Sequence, residues 1–161
     1  MSFLSFHVRV MTIAAASLIL LSGCGTDRVS VRSDDNHVAV RDRATGAALA
    51  VGEQVTIPAD FPVDIHRYPG ATTELVTSSS EEHTHALSQV TSDDVTTAKA
   101  SVERSMVASG FQRTSEFGDP SATILIYEKG MVRFQINIAH DARKNNTNLL
   151  IVRTETPPAT P

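Results

Sequence analysis

Apolar and polar residues alternate along most of the chain from residue 37 to residue 155, the pattern of strands in a sheet with one buried face. Two short runs, HVAVRDR and AALAVGEQVTIP, are separated by the turn sequence ATG. Two more, TTELVTSS and HALSQVT, are joined by the polar segment SSEEHT. Four further runs follow near the C-terminus: FQRTSEF, ATILIYE, MVRFQINIA and TNLLIVRT. The pattern predicts a meander of short antiparallel strands.

One segment, SDDVTTAKASVERSMVASG, has the period of a helix instead. Residues of one stripe recur there at steps of three and four, namely Val95, Ala98, Val102, Met106 and Ser109. Ser92 or Asp93 can cap the N-terminus of this helix, and Gly110 is placed to end it. We predict one amphipathic helix from about residue 93 to residue 109.

Between the second and third runs lies the sequence IPADFPVDIHRYPGA, residues 57 to 71, which carries three prolines. Proline lacks a backbone donor and restricts the preceding residue, so we expect an irregular strap rather than a helix or a central strand. Its apolar residues are expected to lie across the core: Ile57, Phe61, Val63, Ile65 and Tyr68. The whole pattern predicts a single α+β domain, residues 37 to 155, with a mostly antiparallel sheet and the helix packed on one face. The other face is predicted to be polar and to meet water or a partner.

The N-terminus is organised differently. A weakly basic start with Arg9 precedes an apolar run of 12 residues, VMTIAAASLILL, which is shorter than the roughly 20 residues that a membrane-spanning helix needs. The single cysteine of the chain, Cys24, directly follows Leu21, Ser22 and Gly23. This arrangement resembles the lipobox of bacterial lipoproteins, in which a leucine, two small residues and a cysteine mark the end of the signal peptide.

The lipobox resemblance implies that a diacylglyceryl group is attached to Cys24 and that the signal peptidase cleaves between Gly23 and Cys24. Residues 1 to 23 are then the signal peptide, and residues 24 to 36 are the lipidated cysteine with a flexible polar tether. Gly25, rather than an aspartate, follows the cysteine, which favours the outer membrane in a host with two membranes. A buried cysteine of a transmembrane segment and a free thiol behind an ordinary signal are the alternatives.

The domain itself carries a second resemblance. The strap contains P-x-D-F-P-x-D and Y-P-G-A, and a polar hairpin, a helix ending in SMVASGF and a meander of strands follow it. Together these features resemble a recurrent small domain of bacterial envelope lipoproteins that has no assigned activity. The chain departs from that pattern at Phe111, where tryptophan is common, and keeps a large apolar ring there. The resemblance implies fold and location, but no reaction.

Composition narrows the classes of function. The 161 residues include 14 basic and 18 acidic side chains, a net charge of −4, and the basic residues are scattered. Because nucleic-acid binding needs a concentrated positive surface, we expect no nucleic-acid partner. A single cysteine cannot form an internal disulfide, so the fold depends on packing. The proline-rich end, residues 156 to 161, is predicted to be disordered.

Histidines are the candidates for metal chemistry. His83 and His85 flank Thr84 beside two glutamates, and imidazole with carboxylate is a ligand set for zinc or copper. In a strand the two imidazoles share a face, but two ligands are too few for a metal site, and a solvated turn accounts for them better. We therefore expect no metal and no other cofactor. His66 and His140 stand alone and are predicted to lie on the surface.

Hydrolytic catalysis has little support in the sequence. The segment TSSSEEH contains serine, acid and histidine, yet a flexible serine run supplies neither a fixed base nor an oxyanion site. No G-x-S-x-G or S-x-x-K motif stands at a strand-to-helix turn, and phosphate-binding glycine loops are absent. The alternative interpretation is a hydrolase or metal-binding protein that uses His66 or the His83/His85 pair in a cleft under the strap.

The predicted polar face of the sheet is the candidate binding surface. Arg133, Gln135 and Asn137 alternate with apolar residues and are expected to project together, and Thr147 or Arg153 on a neighbouring strand can join them. Such side chains can hold a carboxylate, a glycan or a protein edge, although a sheet that merely faces water is the simpler alternative. The sequence thus predicts a membrane-anchored envelope lipoprotein. Its domain is expected to be a non-enzymatic binding or structural module for an envelope protein or a cell-wall partner.

Overall fold

The sheet dominates the computed structural model, which describes residues 28 to 157. The elements are β1 (Val29–Ser33), β2 (His37–Asp42), β3 (Ala48–Gly52), β4 (Thr72–Ser79), β5 (Thr84–Thr91), α1 (Val95–Ala108), β6 (Gln112–Asp119), β7 (Ala122–Lys129), β8 (Val132–Asp141) and β9 (Asn146–Glu155). All nine strands belong to one sheet in the order β1-β2-β3-β4-β5-β9-β8-β7-β6, and every neighbouring pair is antiparallel. The α+β class with a mostly antiparallel sheet and a single helix is therefore confirmed.

The N-terminus of α1 is fixed by a cap that the sequence analysis did not select. The Asp94 Oδ1 accepts the backbone N–H of Thr97 at 2.7 Å, which satisfies one of the free donors of the first turn. The choice of Ser92 or Asp93 was therefore wrong. The Asp93 carboxylate instead accepts a hydrogen bond from the Tyr68 hydroxyl at 2.5 Å and so connects the strap to the start of the helix.

One stripe of α1 packs on the sheet, against β7 and β8. Four of the five predicted residues of this stripe are buried: Val95, Ala98, Val102 and Met106. Ser109, the fifth, is exposed beyond the last turn. The helix ends before Gly110, whose φ of 78° is a left-handed conformation that glycine adopts without a steric penalty.

The core lies between the sheet and a layer formed by α1 and the strap. We call the covered side of the sheet the inner face and the opposite side the outer face. One row of cross-strand partners on the inner face is buried across five strands: Val76, Leu87, Ile151, Ile136 and Leu125. From the strap, Phe61, Ile65 and Tyr68 are buried in this core, as predicted. Val63 is the exception, because it is 96% exposed.

Residues 29 to 33 form β1, whereas the sequence predicts a flexible tether over residues 24 to 36. This strand is an edge of the sheet and pairs with β2, with Val31 opposite Val40. Its low hydrophobicity hid the alternation of two valines with Ser30 and Arg32. The predicted boundary at residue 37 is thus too late. At the other end, the Thr156 backbone N–H donates to the Met131 carbonyl at 3.0 Å, and residues 158 to 161 lie outside the described residues.

Candidate functional site

The predicted polar row lies on the outer face of β8. Arg133 and Gln135 are exposed and Asn137 is half-buried. They alternate with inner-face side chains that are 0% exposed: Phe134, Ile136 and Ile138. The three polar side chains therefore share one face, as the period of two predicts.

The polar row presents hydrogen-bonding groups but no nucleophile. The Arg133 Nε lies 3.9 Å from the Glu128 Oε1 on the neighbouring strand β7, and both side chains are about half exposed. Such an ion pair is weak in water, so the guanidinium can still accept a carboxylate from a ligand. The amides of Gln135 and Asn137 each offer donors and an acceptor beside it. This arrangement suits recognition of polar groups rather than bond breaking.

Thr147 and Arg153 do not join the polar row, which corrects the sequence prediction. In the β8–β9 register, Arg153 lies opposite Phe134 and Thr147 lies opposite His140, so both residues are on the inner side. Thr147 is 0% exposed. The actual β9 neighbours of the row on the outer face are Leu150, Val152 and Thr154.

Two neighbouring rows of the outer face are mainly apolar, and for these rows the expectation of a polar face is wrong outside β8. One outer row passes through Gln135 and crosses all nine strands. From the edge strand β1 to the other edge strand, β6, it contains Val31, Val40, Leu49, Thr77, Ala86, Val152, Gln135, Ile126 and Ser115. The next row contains Ser33, Val38, Val51, Leu75, Ser88, Leu150, Asn137, Ile124 and Phe117. The alternation of β2 is visible in the sequence, but alternation does not reveal which side faces the core.

The strap motif is explained by its attachment to the inner face. The Asp64 Oδ2 accepts a hydrogen bond from the Arg153 Nε at 3.0 Å, and the Arg153 side chain is only 12% exposed. Hydrogen bonds to Asp64 and Glu155 raise the pKa of Arg153 against the opposing effect of burial. The other carboxylate of the motif, Asp60, lies 3.3 Å from the Arg41 Nη2 on β2. Both aspartates of P-x-D-F-P-x-D thus hold the strap on the sheet.

A buried glutamine holds the middle of the strap. The Gln89 Oε1 accepts the backbone N–H of Tyr68 at 2.9 Å, and its Nε2 donates to the Thr73 Oγ1 at 3.4 Å. The Tyr68 hydroxyl is bonded to Asp93, and burial, followed by this hydrogen bond, raises the pKa of Tyr68 to about 12. These groups are satisfied inside the fold, so the strap is a structural element.

His66 is half-buried rather than on the surface, which corrects its sequence assignment. Burial lowers its pKa, and the Nε2 has no hydrogen-bond partner among the described residues. Its ring packs edge-on against Tyr68, with 6.2 Å between the ring centroids. The neutral imidazole therefore belongs to the packing of the strap.

His83 and His85 do not share a strand face. His83 is exposed in the β4–β5 turn with a φ of 50°, and β5 begins after it at Thr84. The Nδ1 of His85 lies 3.0 Å from the Ser78 Oγ, and its ring packs edge-on against Phe61 at 5.7 Å. Burial, and then the positive charge of Arg153, lowers the pKa of His85. Within residues 28 to 157, no group of three or more histidine, cysteine, aspartate or glutamate side chains is placed to hold a metal ion.

Two open clefts border the strands β1 to β3. The larger, of about 670 Å³, lies beside Thr56 and the strap residue Pro58 and includes Arg32, Arg41 and Ser78 in its lining. The smaller, of about 460 Å³, is lined in part by Asp34 and His37. Neither cleft includes His66 or His83, the residues that the hydrolase alternative requires.

Asp34 and His37 form the one charged pair that lines the smaller cleft. The Asp34 Oδ1 lies 2.9 Å from the His37 Nδ1 and also accepts the backbone N–H groups of Asn36 and His37. The hydrogen bond between the side chains lowers the pKa of Asp34 and raises the pKa of His37. The pair stabilises the turn between β1 and β2 and leaves no free base.

Leu21, Ser22, Gly23 and Cys24 lie outside the described residues. In the part that is described, no helix has the length and apolarity to cross a bilayer. Comparison of the chain with protein-family models, with curated proteins and with solved structures finds no match. The candidate site therefore depends on the geometry of the outer face alone.

Proposed function

We propose that the protein is a bacterial lipoprotein of the cell envelope whose domain is a non-enzymatic binding module. A lipid on Cys24 holds it at the membrane, which is the outer membrane, on its periplasmic side, where the host has two membranes. The polar row of Arg133, Gln135 and Asn137 binds an envelope protein or a cell-wall partner. The observation that carries the binding role is the common orientation of these three side chains on the outer face of β8.

The spacing of the chain supports attachment close to the lipid surface. β1 begins five residues after Cys24, and five residues span at most about 18 Å. One lipid chain gives marginal membrane binding and two or more give stable binding, so diacylglyceryl attachment is sufficient. The domain accordingly stands next to the bilayer rather than at the end of a long tether.

Mass spectrometry of the N-terminal peptide tests the anchor. We expect the mature chain to begin at Cys24 and to carry the mass of a diacylglyceryl group. Cys24→Ser should abolish the incorporation of labelled palmitate. It should also prevent the cleaved, lipidated form from accumulating in the membrane fraction. A mature protein with a free thiol, or a Cys24→Ser protein with unchanged lipid labelling, would contradict the proposal.

Arg133→Ala tests the binding row, with Arg143→Ala as the control. Arg143 is an exposed arginine in the β8–β9 turn, so both variants remove one positive charge. If the partner is a protein, we expect Arg133→Ala to reduce the recovery of crosslinked envelope proteins from intact cells. If the partner is the cell wall, we expect it to reduce co-sedimentation with purified peptidoglycan. Arg143→Ala should leave both unchanged. Equal recovery and equal sedimentation for the two variants would remove the row as the binding site.

A further inference from the structure

Exposed large apolar side chains are gathered on one surface of the described domain. Eleven such side chains are exposed within residues 28 to 157, and eight of them lie on the outer face, so they are not the single scattered residues of an ordinary surface. The eight are Val29, Val31, Val38, Leu49, Val51, Phe117, Ile124 and Leu150. The helix and the strap are both on the inner face and cover none of them.

The densest part of this surface is formed by β1, β2 and β3. We call their outer apolar side chains the valine patch: Val29, Val31, Val38, Val40, Leu49 and Val51. The inner positions of the same strands carry small or polar side chains instead: Ser30, Arg32, Ala39, Arg41, Ala48 and Ala50. An antiparallel sheet with one face in water normally has the reverse arrangement. The pairing of β3 with β4 fixes the register that turns the valines outward, and neither the helix nor the strap covers the patch.

We propose that the outer face is the interface between two copies of this chain, with the valine patch of one copy packed against the valine patch of the other. Two sheets pack face to face at about 10 Å when their apolar rows interleave. In a two-fold arrangement the same surface occurs on both sides, so each apolar row meets an apolar row of the second copy. This interface does not depend on the lipid at Cys24.

The available area matches what a stable dimer needs. The valine patch alone covers roughly 240 Å², which is too small. Strands β1 to β5 together with β9 cover about 29 Å by 24 Å, or roughly 700 Å², close to the ~800 Å² per partner of a standard interface. The added strands contribute Leu75, Val90, Leu150 and Val152 to this surface. The next strand, β8, carries the polar row, which then lies at the rim, where interfaces are usually polar.

The charges around the valine patch favour a second copy over a lipid surface. Surfaces that bind bilayers combine apolar residues with lysine or arginine and place tryptophan or tyrosine at the headgroups. The charged side chain on the outer side of β1 to β3 is Asp42, whose Oδ1 is 3.7 Å from the Arg28 Nε. Arg32 and Arg41 project on the inner side. Asp42 is paired with Arg28, so this side of the three strands has no excess positive charge to attract anionic headgroups, and the pair can stay at the edge of a contact between two proteins.

Site-directed crosslinking of the full chain in its membrane tests the interface. Val38→Cys places a thiol on the valine patch, and Ala39→Cys places one on the opposite side of the same strand. A thiol crosslinker that spans about 10 Å, the distance between packed sheets, should give a covalent dimer with Val38→Cys and none with Ala39→Cys. Dimers from both variants, or from neither, would overturn the proposal.

The chain without an added cysteine is the reference, because Cys24 is its only thiol. Crosslinking of this reference would show that Cys24 is not lipidated, which would contradict the proposed anchor and not the interface. The Val38→Cys and Ala39→Cys comparison is then repeated with Cys24→Ser. Reaction with a water-soluble maleimide separates the remaining outcomes. If the Val38→Cys thiol is protected from the maleimide but is not crosslinked, lipid or another protein covers the face. If the thiol reacts with the maleimide, the face meets water. Either result would overturn the proposal.

A charged substitution measures the strength of the contact. Added to the Val38→Cys chain, Val31→Lys should lower the crosslinked fraction about tenfold, because the two-fold symmetry places two ammonium groups in an apolar contact. Val63→Lys is the control, because Val63 is 96% exposed on the strap and away from the face. Equal crosslinking of these two double variants, with unchanged resistance of both to protease, would exclude the valine patch from the interface.

Discussion

Two regions of the sheet are stabilised in different ways. The body, residues 57 to 155, buries the inner faces of β4, β5, β7, β8 and β9 under α1 and the strap. The extension, β1 to β3, contributes no residue to the buried core, and only Ala50 packs partly against it. The extension is held by backbone pairing, by the Arg41–Asp60 contact and by the turn at Asp34. The same kind of strand sequence therefore serves two purposes, a covered core in the body and an uncovered apolar face in the extension.

The difference shows that pairing with β4 fixes which side of the extension faces inward. Ala50 lies opposite Val76, which is 3% exposed in the core, so Ala50 is on the inner side as well. Leu49 and Val51 must then point outward, because successive side chains alternate. The larger apolar side chains are thus on the outside because of register, and not because they avoid the core.

The largest difference between the regions should appear on truncation of apolar side chains. Ile136 is 0% exposed in the body, so Ile136→Ala should lower the free energy of unfolding by about 2–5 kcal/mol. Val38 is 45% exposed in the extension, so Val38→Ala should change the free energy of unfolding of the separated monomer by about 0.5 kcal/mol or less. Denaturation followed by circular dichroism at low protein concentration measures both. Similar losses would mean that the extension has an apolar core of its own.

The two aspartates of the strap motif should also differ. Asp64→Ala removes one of two acidic partners from the largely buried Arg153 and should cost about 1.5–3 kcal/mol of unfolding free energy. Asp60→Ala removes the partner of Arg41 in the extension, where both side chains are more than half exposed, and should cost about 0–1 kcal/mol. The same denaturation experiment compares them. A larger loss for Asp60 would show that the strap is held mainly by the extension.

The sequence was sufficient to predict the helix and the strands of the body, because the residue patterns that indicate them are local. The helix stripe and the alternation of β8 each place large apolar residues at a regular period, and both are buried as predicted. It was insufficient where a charge is compensated by a distant partner. Arg153 shares the inner side of β9 with Leu149 and Ile151, and its charge is compensated there by Asp64, 89 residues away, a contact that no local pattern contains.

The same limit applies to the candidate site. The period of two was enough to place Arg133, Gln135 and Asn137 on one face of β8. It could not show that β1 to β3 extend this face with valines, since that depends on the pairing of β3 with β4. Placing the apolar part of the face therefore required the three-dimensional register.

A backbone substitution should separate the two regions without changing a charge or the core. Gly52 ends β3 with a φ of 153°, and a Cβ there would lie 2.1 Å from the Asn36 carbonyl oxygen. Gly52→Ala should therefore raise amide exchange in the extension about tenfold or more and leave β8 and β9 protected. Gly70→Ala is the control for backbone strain, because Gly70 also has a positive φ, of 74°, but a Cβ there meets nothing within 4 Å. Equal deprotection of the body by Gly52→Ala would mean that the regions unfold as one unit.

The smallest effect should come from the charged pair at the β1–β2 turn, and its direction follows from the pKa shifts. Bonding to Asp34 raises the pKa of His37 above its ordinary value of 6.5, so this stabilisation is full below pH 6.5 and is lost as the pH rises through the raised pKa. The pKa of Asp34 is lowered from 3.8, so its contribution is lost as the pH falls through the lowered pKa.

Asp34→Asn keeps the acceptor for the backbone N–H groups of Asn36 and His37 but removes the charge. The variant should return the pKa of His37 toward 6.5, as measured by NMR of the imidazole ring. It should also remove the pH dependence of the amide protection factors at this turn above pH 6.5, while the protection factors in β8 stay unchanged because the pair is confined to the extension. An unchanged pKa of His37 in Asp34→Asn would show that the pair does not form, and a parallel response in β8 would show that the turn is coupled to the body.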